Sequence, residues 1–117
     1  MTSHPINITQ LSDRCILVEP TEDLIRSSAY DFYHQLQARV ATDLYRTSVI
    51  IDLSKVNYVD SIFWSRIISL VQRVDRIIFV GLKIPSLKNF HSLGIATVCG
   101  LADTVDEAQR MTLKPKH

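Results

Sequence analysis

"SVIIDLSKVNYVDSIFWSRIISLV", residues 48 to 71, reads as a strand, a loop and a helix in succession. The run at 48–53 is apolar and rich in β-branched residues, as expected of a strand covered on both faces in a parallel sheet. From Ser61 the period changes. At about 100° per residue, Phe63, Trp64, Ile67, Ile68, Leu70, Val71 and Val74 share one arc, which predicts a helix over 61–75 with that arc in the core. Ile62 falls on the opposite side with Ser65, Arg66, Ser69 and Arg73, so it is expected to be exposed beside Ser61 on a polar, basic face. Both lie at the carboxyl end of a strand, the edge where open α/β sheets usually place their sites.

The same alternation of strand and helix extends in both directions. "INITQL" (6–11) alternates apolar and polar residues, and "RCILVE" (14–19) is a short apolar run ending at Pro20, which predicts two early strands. Ser28 with Asp31 resembles a capping box, and Ala29, Phe32, Leu36, Val40 and Leu44 continue at helical spacing, giving a helix over 28–44. "RIIFVGL" (76–82) is another buried strand, and Pro85 and Gly94 bracket a third helix. "IATVCGL" (95–101) is read as the last strand, and Thr104 with Glu107 as a capping box that opens a short final helix. Residues 113–117 read as a frayed tail. The pattern predicts one α/β domain around a mixed, largely parallel sheet of four or five strands with about four helices.

Composition excludes several functions. A chain of 117 residues has the size of one domain, long enough for a single core that 46% hydrophobic content can fill. Thirteen Lys+Arg against twelve Asp+Glu leave a net charge of +1, without the basic excess of a nucleic-acid binder. Residues 1–5 have no apolar signal core, and no apolar run approaches the roughly 20 residues that span a bilayer. Cys15 and Cys99 lie in apolar runs at no metal-ligand spacing, which fits buried thiols in a reducing cytoplasm. The three glycines, at 81, 94 and 100, form no phosphate-binding loop. His4, His34, His91 and His117 show no ligand spacing, and no serine sits in a Gly-x-Ser-x-Gly elbow. Neither a cofactor nor a metal is expected.

Ser61 has two readings. In one, Asp60 or Ser61 caps the helix by accepting a hydrogen bond from an early N–H, worth about 1 kcal/mol. In the other, the hydroxyl accepts a phosphoryl group. The added charge, about −1.5 to −2, would lie at a helix end carrying about half a positive charge, so its consequence falls on a partner and not on the fold.

The segments "VIIDLSKVNYVDS", "IIFVGLKIPSLKNFHSLGI" and "ADTVDEAQRM" resemble the STAS domain family, the anti-sigma-factor antagonists, over about residues 6–111. The most specific part is the strand, Asp-Leu-Ser, loop, Asp-Ser, helix run at 49–61. The resemblance implies a STAS-like sandwich and a phosphorylation-controlled binding module, not an enzyme, with Ser61 as the acceptor of an ATP-dependent serine kinase. Asp60, Ser61, Ile62, Ser65 and Arg66 would form the recognition surface; Thr21, Ser54 and Ser86 are additional candidate acceptors, read first as turn or cap residues. Bulky residues after Asp-Ser and the opening "HPINITQLSDRCILVE" are more similar to the small scaffold subunit of the stressosome, RsbS. That likeness implies a large cytoplasmic assembly with a homologous scaffold of the RsbR type, a switch kinase of the GHKL (RsbT) type held or released according to Ser61, and a PP2C-type phosphatase.

Three alternatives stay open. The chain could antagonise an anti-sigma-factor kinase directly, or serve as a structural STAS subunit of a lipid-transporting ABC complex. It could also be a receiver, with Asp52 as phosphoryl acceptor and Glu22, Asp23 and Lys83 as the accompanying groups.

Overall fold

The computed structural model describes residues 6–39 and 47–114. Along them run β1 (Asn7–Ser12), β2 (Cys15–Glu19), α1 (Ser27–Arg39), β3 (Ser48–Asp52), α2 (Ser61–Val71), β4 (Arg76–Val80), α3 (Ile84–Ser92), a 3-10 turn (Ile95–Thr97), β5 (Gly100–Ala102) and α4 (Val105–Met111). The expected continuation of α1 through Val40 and Leu44, the chain beyond Lys114, and His4 and His117 lie outside the described residues.

The sheet order is β1-β2-β3-β4-β5, with one antiparallel hairpin followed by three parallel pairings. Each crossover steps to the next strand in the same direction. Because such crossovers are right-handed, α1, α2 and α3 lie on one face of the sheet. The larger core confirms this, joining Phe32, Leu36, Phe63, Ile67 and Phe90 to Ile16, Val18, Val49, Ile51, Ile77 and Phe79. The opposite face carries Cys15, Leu17, Ile50, Ile78, Val80 and Ala102, and among the described helices only α4 covers it, through Ala108, Val105 and Met111. Period-2 alternation in β2, β3 and β4 therefore feeds both cores, which is why these strands read as unbroken apolar runs. In β1 the alternation sends Ile6 and Ile8 to the larger core and Leu11 to the smaller, and the register slips between Gln10 and Ser12.

The aromatic pair that follows Ser61-Ile62 is explained by the two gaps beside α2. Phe63 meets Phe32 of α1 at 5.4 Å, whereas Trp64 turns toward α3 and meets Phe90 at 6.3 Å. Both rest on Phe79 of β4, at 6.3 and 5.6 Å. Two consecutive residues, about 100° apart around the helix, thus fill the spaces on its two sides. The predicted arc holds for Phe63, Trp64, Ile67, Leu70 and Val74, but Ile68 is 46% exposed. It lies at the margin of the arc, where the gap already contains Trp64. Ile62 departs the other way: it is partly buried and packs against the larger core, because α1 lies alongside that flank of α2.

Several boundaries differ from the sequence reading, each for a local reason. α1 begins at Ser27, and the Ser28 hydroxyl does not cap forward; it accepts the Ile25 N–H at 2.9 Å and reaches the carbonyls of Asp23 and Ile25. α2 stops at Val71, where Arg73 donates to the Leu70 carbonyl and Asp75 donates to that of Thr47, aiming the chain into β4. β4 ends at Val80 because Gly81 turns with φ +75°. Residues 95–97 form a 3-10 turn instead of the start of β5: Gly94 at φ +74° closes α3, and Thr97 donates through both N–H and hydroxyl to the Gly94 carbonyl. α4 follows its predicted box, with Glu107 N–H donating to Thr104 Oγ1 at 3.0 Å and the Glu107 carboxylate accepting the Asp103 N–H at 2.6 Å. At its far end Arg76 donates to the carbonyls of Met111 and Lys114, holding the first residues of the expected tail to the sheet.

Both thiols are free and buried. Burial pushes the Cys99 pKa up to about 12, and it also raises that of Cys15, partly offset by a hydrogen bond with Thr112. The folded thiols therefore hold their protons at pH values where unfolded ones ionise, and stability falls as pH rises from about 9 toward 12. At neutral pH, labelling of Cys99 by a disulfide reagent is expected to follow the rate of opening of the fold, with no fast phase; rapid labelling of native protein would contradict this burial.

Candidate functional site

At the carboxyl ends of the parallel strands, two loops are stitched together. The segment after β2 and the segment after β3 form a bridge at Leu24 and Val59, with Leu24 N–H donating to the Tyr58 carbonyl and Asp60 N–H to that of Leu24, both at 3.1 Å. Asp23 closes one end: its Oδ1 accepts the N–H groups of Asn57 at 2.8 Å and Tyr58 at 3.1 Å. Asp60 closes the other. Its Oδ1 caps α2 by accepting the Ile62 and Phe63 N–H groups at 3.1 and 3.2 Å, while its Oδ2 accepts the Arg26 N–H at 2.8 Å.

This division of labour decides the position of Ser61. Asp60 is the N-cap, so Ser61 is the first helical residue, exposed, with no hydrogen bond to its hydroxyl among the described residues. Ser65, one turn on, is also exposed, and its hydroxyl donates back to the Ile62 carbonyl at 2.9 Å. The other two members of the expected recognition surface turn aside. Ile62 enters the flank of α1, and Arg66 lays its guanidinium over Tyr30 at 4.9 Å and Tyr33 at 5.6 Å, with Nε buried and without a hydrogen-bond partner among the described residues. The outward face beside Ser61 is therefore narrower than the helical wheel predicts.

Three apolar residues that the sequence reading passes over stand on this edge, each on a different crossover connection: Ile25 (43% exposed) and Tyr58 (49%) in loops, and Ile84 (70%) as the first residue of α3. A signal for them exists in the sequence. Leu24-Ile25 and Tyr58-Val59 are apolar neighbours in loops, and extended backbone turns only one of each pair inward; Ile84 precedes Pro85 at a helix entrance. Of the further hydroxyls, Thr21 and Ser54 are exposed, but Ser86 is buried in the first turn of α3, out of reach of a modifying enzyme.

The acidic groups required of a receiver do not converge. Asp52 Oδ1 accepts the Ser54 N–H at 2.9 Å, Asp23 is spent on the loop above, and Lys83 Nζ donates to the Ser54 carbonyl. Among the described residues no group of three or more His, Cys, Asp or Glu side chains could hold a metal ion. No described helix is long and apolar enough to cross a membrane.

Gly81 holds the floor of this edge. A Cβ there would lie 2.8 Å from the Ser54 nitrogen and 2.9 Å from its Cα, at a φ that disfavours side chains. Gly81→Ala is expected to cost about 1–3 kcal/mol, measured as a lower denaturant midpoint. An unchanged midpoint would mean that loop 53–55 yields freely.

A family model described as the STAS domain matches residues 8–108. An anti-sigma factor antagonist from Mycobacterium paratuberculosis superposes with a TM-score of 0.81 at 17% identity, covering 94% of each chain. The Bacillus cell fate determinant SpoIIAA in its phosphorylated form gives 0.71 at 12% identity, covering 92% of this chain and 99% of that one. The murine Solute Carrier 26 family member A9 anion transporter gives 0.73 at 15% identity, with 87% of this chain covered but only 18% of the transporter. At these identities the likeness is one of fold. No curated protein matches the chain.

Proposed function

Because the chain belongs to the STAS domain family, we propose that it is a protein-binding module of the anti-sigma factor antagonist class, controlled by phosphate on Ser61. The observation that carries this reading is the free, exposed hydroxyl at the first position of α2, released from capping by Asp60. A kinase can reach it without opening the fold, and the helix amino end tolerates the added charge. Transfer moves the γ-phosphoryl group of ATP to Ser61 Oγ; the hydroxyl proton passes to a base on the kinase and ADP departs.

The contact surface is the strand-carboxyl edge: Ser61 and Ser65 with the exposed Tyr58, Ile84 and Ile25, supported from beneath by Asp60, Ile62 and Arg66. Its partner is a serine kinase of the GHKL type, bound when Ser61 is unmodified, and a PP2C-type phosphatase restores the binding state. The small stressosome scaffold, bound to a homologous STAS protein in a large cytoplasmic assembly, is the specific role that this reading favours. Its support is the bulky Ile62-Phe63-Trp64 run and the residue 4–19 opening. Incubation with such a kinase and ATP is the test: acid-stable phosphate on Ser61, absent from Ser61→Ala, is expected, and label on Asp52 would replace this reading with a receiver.

One observation favours a second reading. The fold also recurs as a small part of an anion transporter, so a structural subunit that docks by this edge without modification is the alternative. In that case Ser61→Ala and Ser61→Asp bind the partner equally.

A further inference from the structure

The turn ahead of α1 is strained, and the carboxylate that steadies it is the one beside Ser61. Arg26 is the only residue other than glycine with positive φ among those described, at +50°, a left-handed conformation unfavourable for an L side chain. Its N–H donates to Asp60 Oδ2 at 2.8 Å, and its carbonyl accepts the Tyr30 N–H at 3.1 Å in the first turn of α1. The same carboxylate holds the Ile62 and Phe63 N–H groups through Oδ1. Asp60 therefore joins the entrances of two helices through one rigid planar group.

We infer that Asp60 is a latch, and that phosphate on Ser61 opens it, releasing Arg26 and shifting the exposed neighbour Ile25. The inference rests on the reading of Ser61 as the phosphate acceptor and deepens it. A phosphate on the first helical residue is a second, stronger claimant for the α2 amino-end N–H groups. It also repels the adjacent carboxylate. Rotation of Asp60 away from the helix end moves both oxygens at once, so the bond to Arg26 cannot survive the loss of the cap. Freed of that bond, the turn relaxes out of its left-handed conformation. A partner then meets a changed shape at Ile25 as well as a changed charge at Ser61. The Asp23 clamp on Asn57 and Tyr58 uses a separate carboxylate and stays closed.

Phosphoserine inserted at position 61 during translation tests the latch without any kinase. Amide shifts and exchange rates are compared with those of the unmodified chain. The Arg26 amide is expected to exchange about tenfold faster or more, the scale of losing one hydrogen bond to a charged acceptor, and the Ile25 amide to shift, while Asn57 and Tyr58 keep their rates. Asp60→Asn supplies a second reading in unmodified protein: an amide side chain has one acceptor oxygen, which can cap α2 but not also hold Arg26, so this variant reproduces the Arg26 release. Phosphoserine combined with Asp60→Asn then adds no further acceleration at Arg26. Changes confined to residues 60–64, or equal loosening at Asn57 and Tyr58, would overturn the latch. Neither result bears on whether a kinase modifies Ser61, which the labelling experiment decides separately.

Discussion

Ser61→Asp is expected, under the proposed function, to weaken binding of the serine kinase proposed as partner by roughly thirtyfold or more, the equivalent of about 2 kcal/mol, while Ser61→Ala binds as the unmodified chain does. The asymmetry comes from the free hydroxyl. Ser61 makes no hydrogen bond that alanine would remove among the described residues, so truncation is expected to change stability by no more than about 0.5 kcal/mol. A carboxylate instead brings a charge that must be stripped of water when the apolar residues of the edge close on a partner. It does so without harming the fold, since an acidic residue in the first turn of a helix gains about 0.3–1 kcal/mol from the dipole. Titration calorimetry of both variants against the kinase, beside thermal melts of each, separates the two effects. Equal affinities in well-folded variants would discard phosphate control and leave the purely structural subunit.

Trp64→Ala is expected to destabilise the domain by about 3–5 kcal/mol, a large share of the roughly 5–15 kcal/mol typical of a small domain. Trp64 is 2% exposed and lies against Phe63, Phe79 and Phe90, with ring centroids 5.1, 5.6 and 6.3 Å away. Its removal opens a void at the junction of α2, α3 and β4. The indole Nε1–H, however, is buried without a hydrogen-bond partner among the described residues, a defect worth about 1–3 kcal/mol. Trp64→Phe removes that donor while retaining a ring, so the gain offsets most of the lost contact and the denaturant midpoint stays near that of the parent chain. If the phenylalanine variant were as damaged as the alanine one, the indole must be making a bond that the aromatic cluster does not provide.

The order of elements was readable in the residues because β2, β3 and β4 each feed two cores and so appear as solid apolar runs, as in "SVIID" and "RIIFV". Capping chemistry was plain at Thr104-Glu107, whereas at the entrance of α2 the residues left Asp60 and Ser61 both open and the structure assigns the cap to Asp60. What the sequence conceals is whatever depends on a neighbour. The wheel of α2 cannot know that α1 lies against Ile62 and Arg66, or that Trp64 already occupies the gap that would otherwise bury Ile68. "IATVCGL" is rich in β-branched residues, yet a left-handed glycine and a threonine that bonds back to it divert its first half from the sheet. The edge around Ser61 was located from Asp-Ser alone. Its apolar members, Ile25 and Tyr58 in loops and Ile84 at the entrance of α3, lie on separate crossovers whose meeting only the strand order reveals.

The uneven covering of the sheet has a consequence for synthesis. α4 is the last helix described along the chain, and it closes a face that presents Leu17, Ile50, Ile78 and Val80. Until residues 105–111 leave the ribosome, a nascent chain with all five strands made carries an oily, uncapped slab. Its maturation should therefore wait on that final seven-residue stretch, and premature termination near residue 104 should yield aggregates or chaperone clients, not a smaller working domain.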